Sequence, residues 1–397
     1  MLRKFYVHNF KTLLNFTFEP KGINLLIGRN NVGKTNLCQA MHFLSLTARA
    51  RVLNACALSA GMAPSFTNRY FAEERTDFAC QCELSLNGKR YLFDYRVTLE
   101  FPESPDAAGR PAVIAETLDV SGGGIANRRL LNREGSNVHI VDEAHPEGAG
   151  VTIDLGSKLP GDTTGLRLVE RASPSSQLAG AFKSYLESWA SYDLEDNRLR
   201  STTLKALETR LARDGSNLAS AIHALKMGDD RAYRELLSTV RIVEPEADAI
   251  NFPASPDPNQ VFMAFQDAEG RRFLPQELSN GTLRFLAMAC ILAGNRENAQ
   301  RHKPPGLILI EEPETGIFVG HLKDLFERID PSGAEGQYVF TSHSPYFIDF
   351  FDSHLDGVFL LRRERTHTVL VQPDKEVTRK LITEFSLGEL HFREMLR

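Results

Sequence analysis

The chain has 397 residues, a formal net charge of -5, 42% hydrophobic and 24% charged residues. Those proportions exclude wholesale disorder, and the acidic balance excludes a general polyanion binder, leaving room only for local basic patches. The length allows a large core divided among two or three lobes.

The opening MLRKFYVHNFKTLLNF lacks the apolar core and small-residue cleavage site of a secretory signal. The most apolar later run, Phe285 to Ala293, is too short to span a bilayer. Five scattered cysteines point to reduced thiols and a cytoplasmic protein with no membrane segment. Cys80 and Cys82, two apart in a strand-like run, are expected to share one sheet face as packing residues rather than as metal ligands.

In chain order, Arg3 to Phe10 and Leu14 to Phe18 read as a strand pair, followed by the apolar strand Ile23 to Ile27. A glycine-rich turn leads into an apolar-periodic helix from Lys34 to Thr47. From Thr76 to Asp154 the period becomes two, and Asn87-Gly88 between two alternating runs predicts a hairpin. Further strands are predicted at Val113–Val120, Val138–Val141 and Val151–Leu155, with exposed loops at Gly122-Gly123-Gly124 and around Pro146.

From Gln177 to Val240 the pattern is helical. One stripe holds Leu178, Phe182, Tyr185, Leu186 and Trp189, and another Leu204, Leu207 and Leu211. Asp214-Gly215-Ser216-Asn217 punctuates before a helix from Leu218 to Met227, and Asp229 or Asp230 is expected to cap the next. The expected organisation is residues 1–175 and 251–397 as the two parts of one head, with 176–250 as a helical lobe between them.

Gly28-Arg29-Asn30-Asn31-Val32-Gly33-Lys34-Thr35, with Asn36 behind it, fits the phosphate-loop pattern G-x-x-x-x-G-K-[ST]. Its glycines let backbone N–H groups wrap a phosphate, Lys34 reaches the β- and γ-phosphates, and Thr35 offers Mg²⁺ a hydroxyl. Leu307 to Ile310 reads as a buried parallel strand ending in Glu311-Glu312-Pro313-Glu314. In open α/β sheets the ligand lies beyond such strand ends. There Glu311 can hold Mg²⁺ or its water, and Glu312 can deprotonate an attacking water. Between them Leu278-Ser279-Asn280-Gly281-Thr282 opens a helix from Leu283 to Ala293 that Gly294 is expected to end. Ser279 suits a helix cap, and a helix N-terminus with a serine hydroxyl and the Gly281 N–H also suits a phosphate. Thr341-Ser342-His343-Ser344-Pro345 follows the strand-like Tyr338–Phe340.

Taken in this order, the motifs resemble the RecF/SMC-like branch of ABC-type ATPases, and within it the bacterial AAA-family ATPases related to OLD-family proteins. The resemblance rests on Asn9-Phe10-Lys11 before the phosphate loop, then the L-S-x-G-T, E-E-P-E and S-H-S-P motifs, with weaker support at Asp214–Leu218 and Ser386–Leu390. It implies an α/β ABC-type ATPase head with an antiparallel β lobe and an inserted helical lobe, binding ATP and Mg²⁺. It further implies that Ser279 and Gly281 bind the γ-phosphate held by a partner protomer, and that His343 is the switch histidine of its own site. Two sites would then complete only in a nucleotide-sandwiched homodimer or an assembly of such dimers.

Three positions depart from the family pattern. Glu311 replaces an aspartate common in ABC proteins, Phe318-Val319 follows Gly316-Ile317 where His-Pro is usual, and neither Gln39 nor Gln81 is placed as a Q-loop glutamine. OLD-family proteins add a C-terminal TOPRIM nuclease domain. The stretch after His343 has no well-spaced D-x-D pair, and Asp349 and Asp352 lie in an apolar run expected to pack as a helix. The resemblance therefore favours an ATPase sensor or scaffold that controls a separate effector protein, such as a nuclease, in anti-phage defence. A DNA-repair ATPase clamping nucleic acid is the alternative, supported by Arg128, Arg129 and Arg133 on one expected loop, Arg198 and Arg200 on another, and Arg362, Arg363 and Arg365. A transporter ATPase subunit would need the Q-loop, and a P-loop kinase would have no use for the L-S-x-G motif.

Overall fold

The computed structural model describes residues 1–59, 66–68, 70–71, 73–101, 110–141, 150–154, 161–172, 176–204, 210–300, 306–333 and 336–396. They form two compact units. Unit 1 comprises Met1–Lys21, Leu26–Ala190 and Phe359–Pro373; unit 2 comprises Gly22–Leu25, Ser191–Val358 and Asp374–Arg397.

Unit 1 opens with β1 (Leu2–His8) and β2 (Phe16–Phe18). Strand β3 (Ile23–Ile27) is buried throughout and leads to α1 (Lys34–Thr47) and α2 (Val52–Ser59). An antiparallel series follows: β4 (Arg75–Leu86), β5 (Lys89–Glu100), β6 (Ala112–Gly122), β7 (Ile125–Glu134), β8 (Asn137–Val141) and β9 (Gly150–Asp154). The eight-stranded sheet runs β2-β1-β4-β5-β6-β7-β8-β9. Its first long hairpin pairs Leu86 with Lys89 across Asn87 (φ 51) and Gly88 (φ 76), the left-handed pair that a two-residue turn demands. One face of the sheet is covered by α3 (Gly165–Ala172) and α4 (Gln177–Glu187), with Phe182 of α4 stacked on Phe93 at 5.5 Å. Cys80 and Cys82 are both buried, as their spacing predicted.

Unit 2 continues with β10 (Ala190–Tyr192), α5 (Asp196–Leu199), β11 (Thr203–Leu204), α6 (Leu218–Gly228) and α7 (Asp230–Val240). Asp229 caps α7 by accepting from the Ala232 N–H at 3.0 Å. Short strands β12 (Ala249–Asn251), β13 (Gln260–Val261), β14 (Ala264–Gln266) and β15 (Arg272–Phe273) precede the long helix α8 (Asn280–Gln300). Then come β16 (Leu307–Glu311), α9 (Val319–Phe326), β17 (Gln337–Thr341) and α10 (Pro345–Ile348). Strands β18 (Val358–Glu364) and β19 (His367–Val371) return to unit 1, and α11 (Lys375–Ile382) and α12 (Leu387–Phe392) end the chain in unit 2. Within unit 2 the strand order is β10-β16-β17-β3; within unit 1, β3, β18 and β19 are neighbours in that order. Strands β16 and β17 are parallel, with Glu311 opposite Thr341.

Several expectations are corrected. Arg128, Arg129 and Arg133 lie in the strand β7 and not in a loop, with Arg129 exposed, Arg128 half-buried and Arg133 buried; Gly123-Gly124 is the turn that leads into it. The region 177–240 is not continuously helical. Leu204 sits in β11, and Leu211 is buried in a non-helical segment, so no helical stripe joins them; Leu207 and Pro146 lie outside the described residues. Helix α8 does not stop at Gly294, because an isolated glycine weakens a helix without ending it when the surrounding residues favour continuation. Among the described residues, no helix is long and apolar enough to cross a membrane, and no group of three or more His, Cys, Asp or Glu could hold a metal ion.

Candidate functional site

The phosphate loop belongs to unit 1. Gly28 (φ 147), Asn31 (φ 63) and Gly33 (φ 109) all have left-handed backbone, which glycine adopts freely and asparagine tolerates. A Cβ at Gly28 would fall 2.4 Å from the Leu361 carbonyl oxygen, so the first glycine is required by a close approach as well as by φ. Lys34 is 7% exposed and donates to the carbonyls of Gly28 at 2.7 Å and Arg29 at 3.2 Å, which holds its charge against the loop. Helix α1 has no side-chain cap and no acidic residue in its first turn, so its N-terminal dipole remains available to an anion. Asn30, Asn31 and Thr35 are exposed, and Val32 is buried under the loop.

Sequence reasoning missed the brace behind this loop. Thr368 Oγ1 donates to the Val32 carbonyl at 2.7 Å and lies 2.7 Å from Thr12 Oγ1, which in turn accepts from Asn36 Nδ2 at 2.8 Å. Thr12 follows the Asn9-Phe10-Lys11 segment, and that segment was the available signal. Asn9 is buried at φ 57 and donates to the carbonyls of Glu73 and Arg75, while Lys11 reaches Gln39 Oε1 at 2.6 Å.

The acidic strand end, the histidine and the L-S-x-G motif all belong to unit 2. Glu311 closes β16 with its side chain 7% exposed and its Oε1 3.3 Å from Arg213 Nη2. Glu312 departs from the strand at φ 44, a conformation that costs on the order of 1–3 kcal/mol in a non-glycine residue and turns its side chain outward, 53% exposed. Its N–H is held by the Thr341 carbonyl at 3.0 Å. His343 Nε2 lies 3.7 Å from Glu312 Oε1, so two residues 31 apart in sequence meet at the ends of adjacent parallel strands (343 − 312 = 31). Glu314 does more than complete a motif. Its Oε1 accepts from Ser342 Oγ at 2.6 Å, His343 N at 3.1 Å and Ser344 N at 3.2 Å, while its buried Oε2 has no hydrogen-bond partner.

Ser279 is exposed at the N-terminus of α8, where its Oγ accepts from the Thr282 N–H at 3.0 Å, the expected cap geometry. A Cβ at Gly281 would lie 2.4 Å from the Gly316 carbonyl oxygen, so this position needs glycine for packing independently of any ligand. Three of the arginines considered as a nucleic-acid surface make hydrogen bonds or ion pairs within the molecule. Arg129 pairs with Asp119 at 2.9 Å, Arg133 is 2% exposed and donates to the carbonyls of Gly135, Thr163 and Gly161, and Arg200 donates into the L-S-x-G turn.

The family model described as "AAA domain, putative AbiEii toxin, Type IV TA system" matches residues 23–349. Among curated proteins, the DNA replication and repair protein RecF of Porphyromonas gingivalis is 28% identical over 141 residues, 34% of this chain and 38% of that protein. The RecF of Pediococcus pentosaceus is 28% identical over 147 residues, 33% of this chain and 39% of that protein. The chain thus spans under two fifths of the length of these relatives, at 38% and 39%. Among solved structures, an SMC head bound to the C-winged helix domain of ScpA superposes with a TM-score of 0.53 at 13% identity, covering 95% of this chain and 99% of that one. The fold is that of an ABC-type ATPase head.

Proposed function

We propose that this chain, which belongs to the AAA-domain family and is an ATPase of the RecF/SMC type, works as a dimeric ATP-driven switch that controls a separate effector protein in anti-phage defence. The observation that carries the switch is the placement of Ser279: it is exposed at the N-terminus of α8, in a turn held by its own cap to Thr282 and by Gly281 packed against Gly316. The defence role rests on the resemblance to OLD-related ATPases.

The residues fit ATP and Mg²⁺. Gly28, Asn30, Asn31, Val32, Gly33, Lys34, Thr35 and Asn36 supply a backbone cradle, a lysine and an uncapped helix end for the phosphates. Thr35 in unit 1 and Glu311 in unit 2 are each a hard oxygen donor of the kind Mg²⁺ takes, and the ion when bound would neutralise charge on the phosphate oxygens. Lys34 draws the phosphates into the loop. Glu312, projected outward, takes a proton from the attacking water, and His343 beside it senses the γ-phosphate of the same protomer. Ser279 and Gly281 complete the partner's site, so turnover waits for a homodimer, which higher assemblies could repeat.

The test is the molar mass of Glu312→Gln by light scattering with and without Mg-ATP. A doubling with ATP that Ser279→Arg abolishes is the expected result. A mass indifferent to ATP and to Ser279→Arg would refute the sandwich.

A second reading, a DNA-repair ATPase that clamps nucleic acid, is favoured by the name of the RecF relatives. It predicts duplex binding that weakens steeply with salt. The burial of Arg133 and the engagement of Arg200 in the L-S-x-G turn remove part of the basic surface that would support it.

A further inference from the structure

Three charged residues of unit 2 stand outside every motif and yet hold two of them. Arg200, the residue after α5, donates to the carbonyls of Pro275 and Leu278, the latter at 3.0 Å, and to Asn280 Oδ1 at 2.5 Å. Asp196 in α5 accepts from Asn280 Nδ2 at 2.8 Å and from Arg284 Nε. Arg284 also donates to the Leu194 carbonyl at 2.9 Å. The L-S-x-G turn is therefore gripped from both sides of Asn280 by one short segment, 194–200.

That segment continues to the acidic strand end. The Asp193 N–H donates to the Arg213 carbonyl at 2.9 Å and the Glu195 N–H to the Asp214 carbonyl at 3.1 Å, so residues 193–195 and 213–214 are joined by backbone hydrogen bonds. Arg213 then reaches Glu311 Oε1 at 3.3 Å and Asp193 Oδ2 at 3.5 Å. Arg213 and Glu311 are both substantially buried, where charge-assisted hydrogen bonds hold geometry better than at the surface.

We infer that Asp196, Arg200 and Arg213 are positioning residues that set the Ser279–Thr282 turn and the Glu311 strand end as one piece. The inference rests on the proposed function in one respect: if Glu311 serves a protomer's own nucleotide and Ser279 its partner's, this piece couples the two sites. A displacement at Glu311 is transmitted through Arg213 and the 193–196 segment to Asn280, without passing through the hydrophobic core.

The experiment uses the full chain and has two arms. Hydrogen exchange of Arg213→Ala is compared with the parent at the amides of Leu278 to Leu283, with Arg213→Lys as the conservative variant and thermal unfolding as the check on folding. Faster exchange in that turn, partly restored by lysine, is expected; unchanged exchange in a folded Arg213→Ala overturns the inference. In the second arm, ATP-dependent dimerisation is measured in the Glu312→Gln background for Arg200→Ala, Arg213→Ala and the double variant. Each single change is expected to weaken dimerisation about tenfold, with ATP affinity of the monomer held within about twofold and the double variant less than multiplicative. Multiplicative effects overturn the coupling. Should Glu312→Gln fail to dimerise at all, the proposed function fails, while the exchange arm still decides the inference.

Discussion

Glu314 Oε1 accepts the backbone N–H of His343 at 3.1 Å, and the same oxygen takes the Ser342 hydroxyl and the Ser344 N–H. A single carboxylate oxygen thus fixes the loop that carries the histidine. Hydrogen bonds to a charged acceptor are worth roughly 1.5–3 kcal/mol each, so Glu314→Ala is expected to loosen the loop and lower thermal stability. ATP affinity should survive while turnover falls, because the phosphate loop is untouched and His343 loses its support. Nucleotide titration beside steady-state ATPase rates separates the two effects; a parallel loss of affinity would contradict this assignment.

Lys34→Ala and Glu312→Gln are expected to fail differently. Loss of Lys34 removes the cation held against the loop by the Gly28 and Arg29 carbonyls, and nucleotide affinity should collapse. Glu312→Gln should bind ATP as the parent does and lose at least about a hundredfold in turnover, as removal of a positioned base would produce. A Glu312→Gln variant that hydrolyses ATP at the parent rate would remove Glu312 as the base.

Gly281→Ala places a methyl group 2.4 Å from the Gly316 carbonyl oxygen, where backbone and not a flexible side-chain tip must yield. The expected outcome is a folded protein that binds ATP but no longer doubles its mass with it in the Glu312→Gln background. Light scattering checks this directly, and Gly281→Ala dimerising normally would show that the turn tolerates the displacement.

Glu116 gives unit 1 a pH-dependent element. Its buried carboxylate accepts from Tyr95 OH at 2.8 Å, Leu166 N at 2.9 Å and Gly165 N at 2.5 Å, capping the start of α3. Burial pushes its pKa above the ordinary 4.5 despite those donors. The folded chain therefore holds this proton more tightly than the unfolded chain. The resulting contribution to stability is complete below the unfolded pKa and is lost as pH rises through the raised folded value. Melting temperatures of parent and Glu116→Gln between about pH 4 and about pH 8 should show the parent losing ground to the variant as pH increases, then a constant offset. An offset constant over the whole range would mean that Glu116 titrates normally.

The thiols should be silent in the native protein. All five cysteines are buried, and burial pushes Cys56 and Cys290 up to about 12. Iodoacetamide at about pH 8 is expected to modify none in the folded chain and all five in denaturant, by mass spectrometry. Modification of Cys56 or Cys290 in the folded chain would show that its site opens.

Local chemistry made much of this protein legible before any coordinates. The Asn87-Gly88 hairpin, the buried strand Ile23–Ile27, the helix Lys34–Thr47 and the parallel strand ending at Glu311 each follow from patterns only a few residues long, set by backbone sterics and side-chain periodicity. Strand β7 escaped notice because its two buried leucines, Leu130 and Leu131, are adjacent and give no alternation of apolar residues, while its buried Arg133 is satisfied by carbonyls instead. The order of motifs likewise marked the phosphate loop, the acidic strand end, the L-S-x-G turn and the histidine as candidate site residues, and within unit 2 the histidine does meet the acidic strand end.

What the tertiary structure alone decided is which residues hold those motifs in place. Thr368 beneath Val32, Glu314 beneath His343, and Arg213, Asp196 and Arg200 around Glu311 and Asn280 are separated from their partners by very different sequence intervals. A hydrogen bond depends on distance and angle in space, and no local pattern records which threonine, carboxylate or guanidinium the fold will bring within 3 Å or so of a given turn.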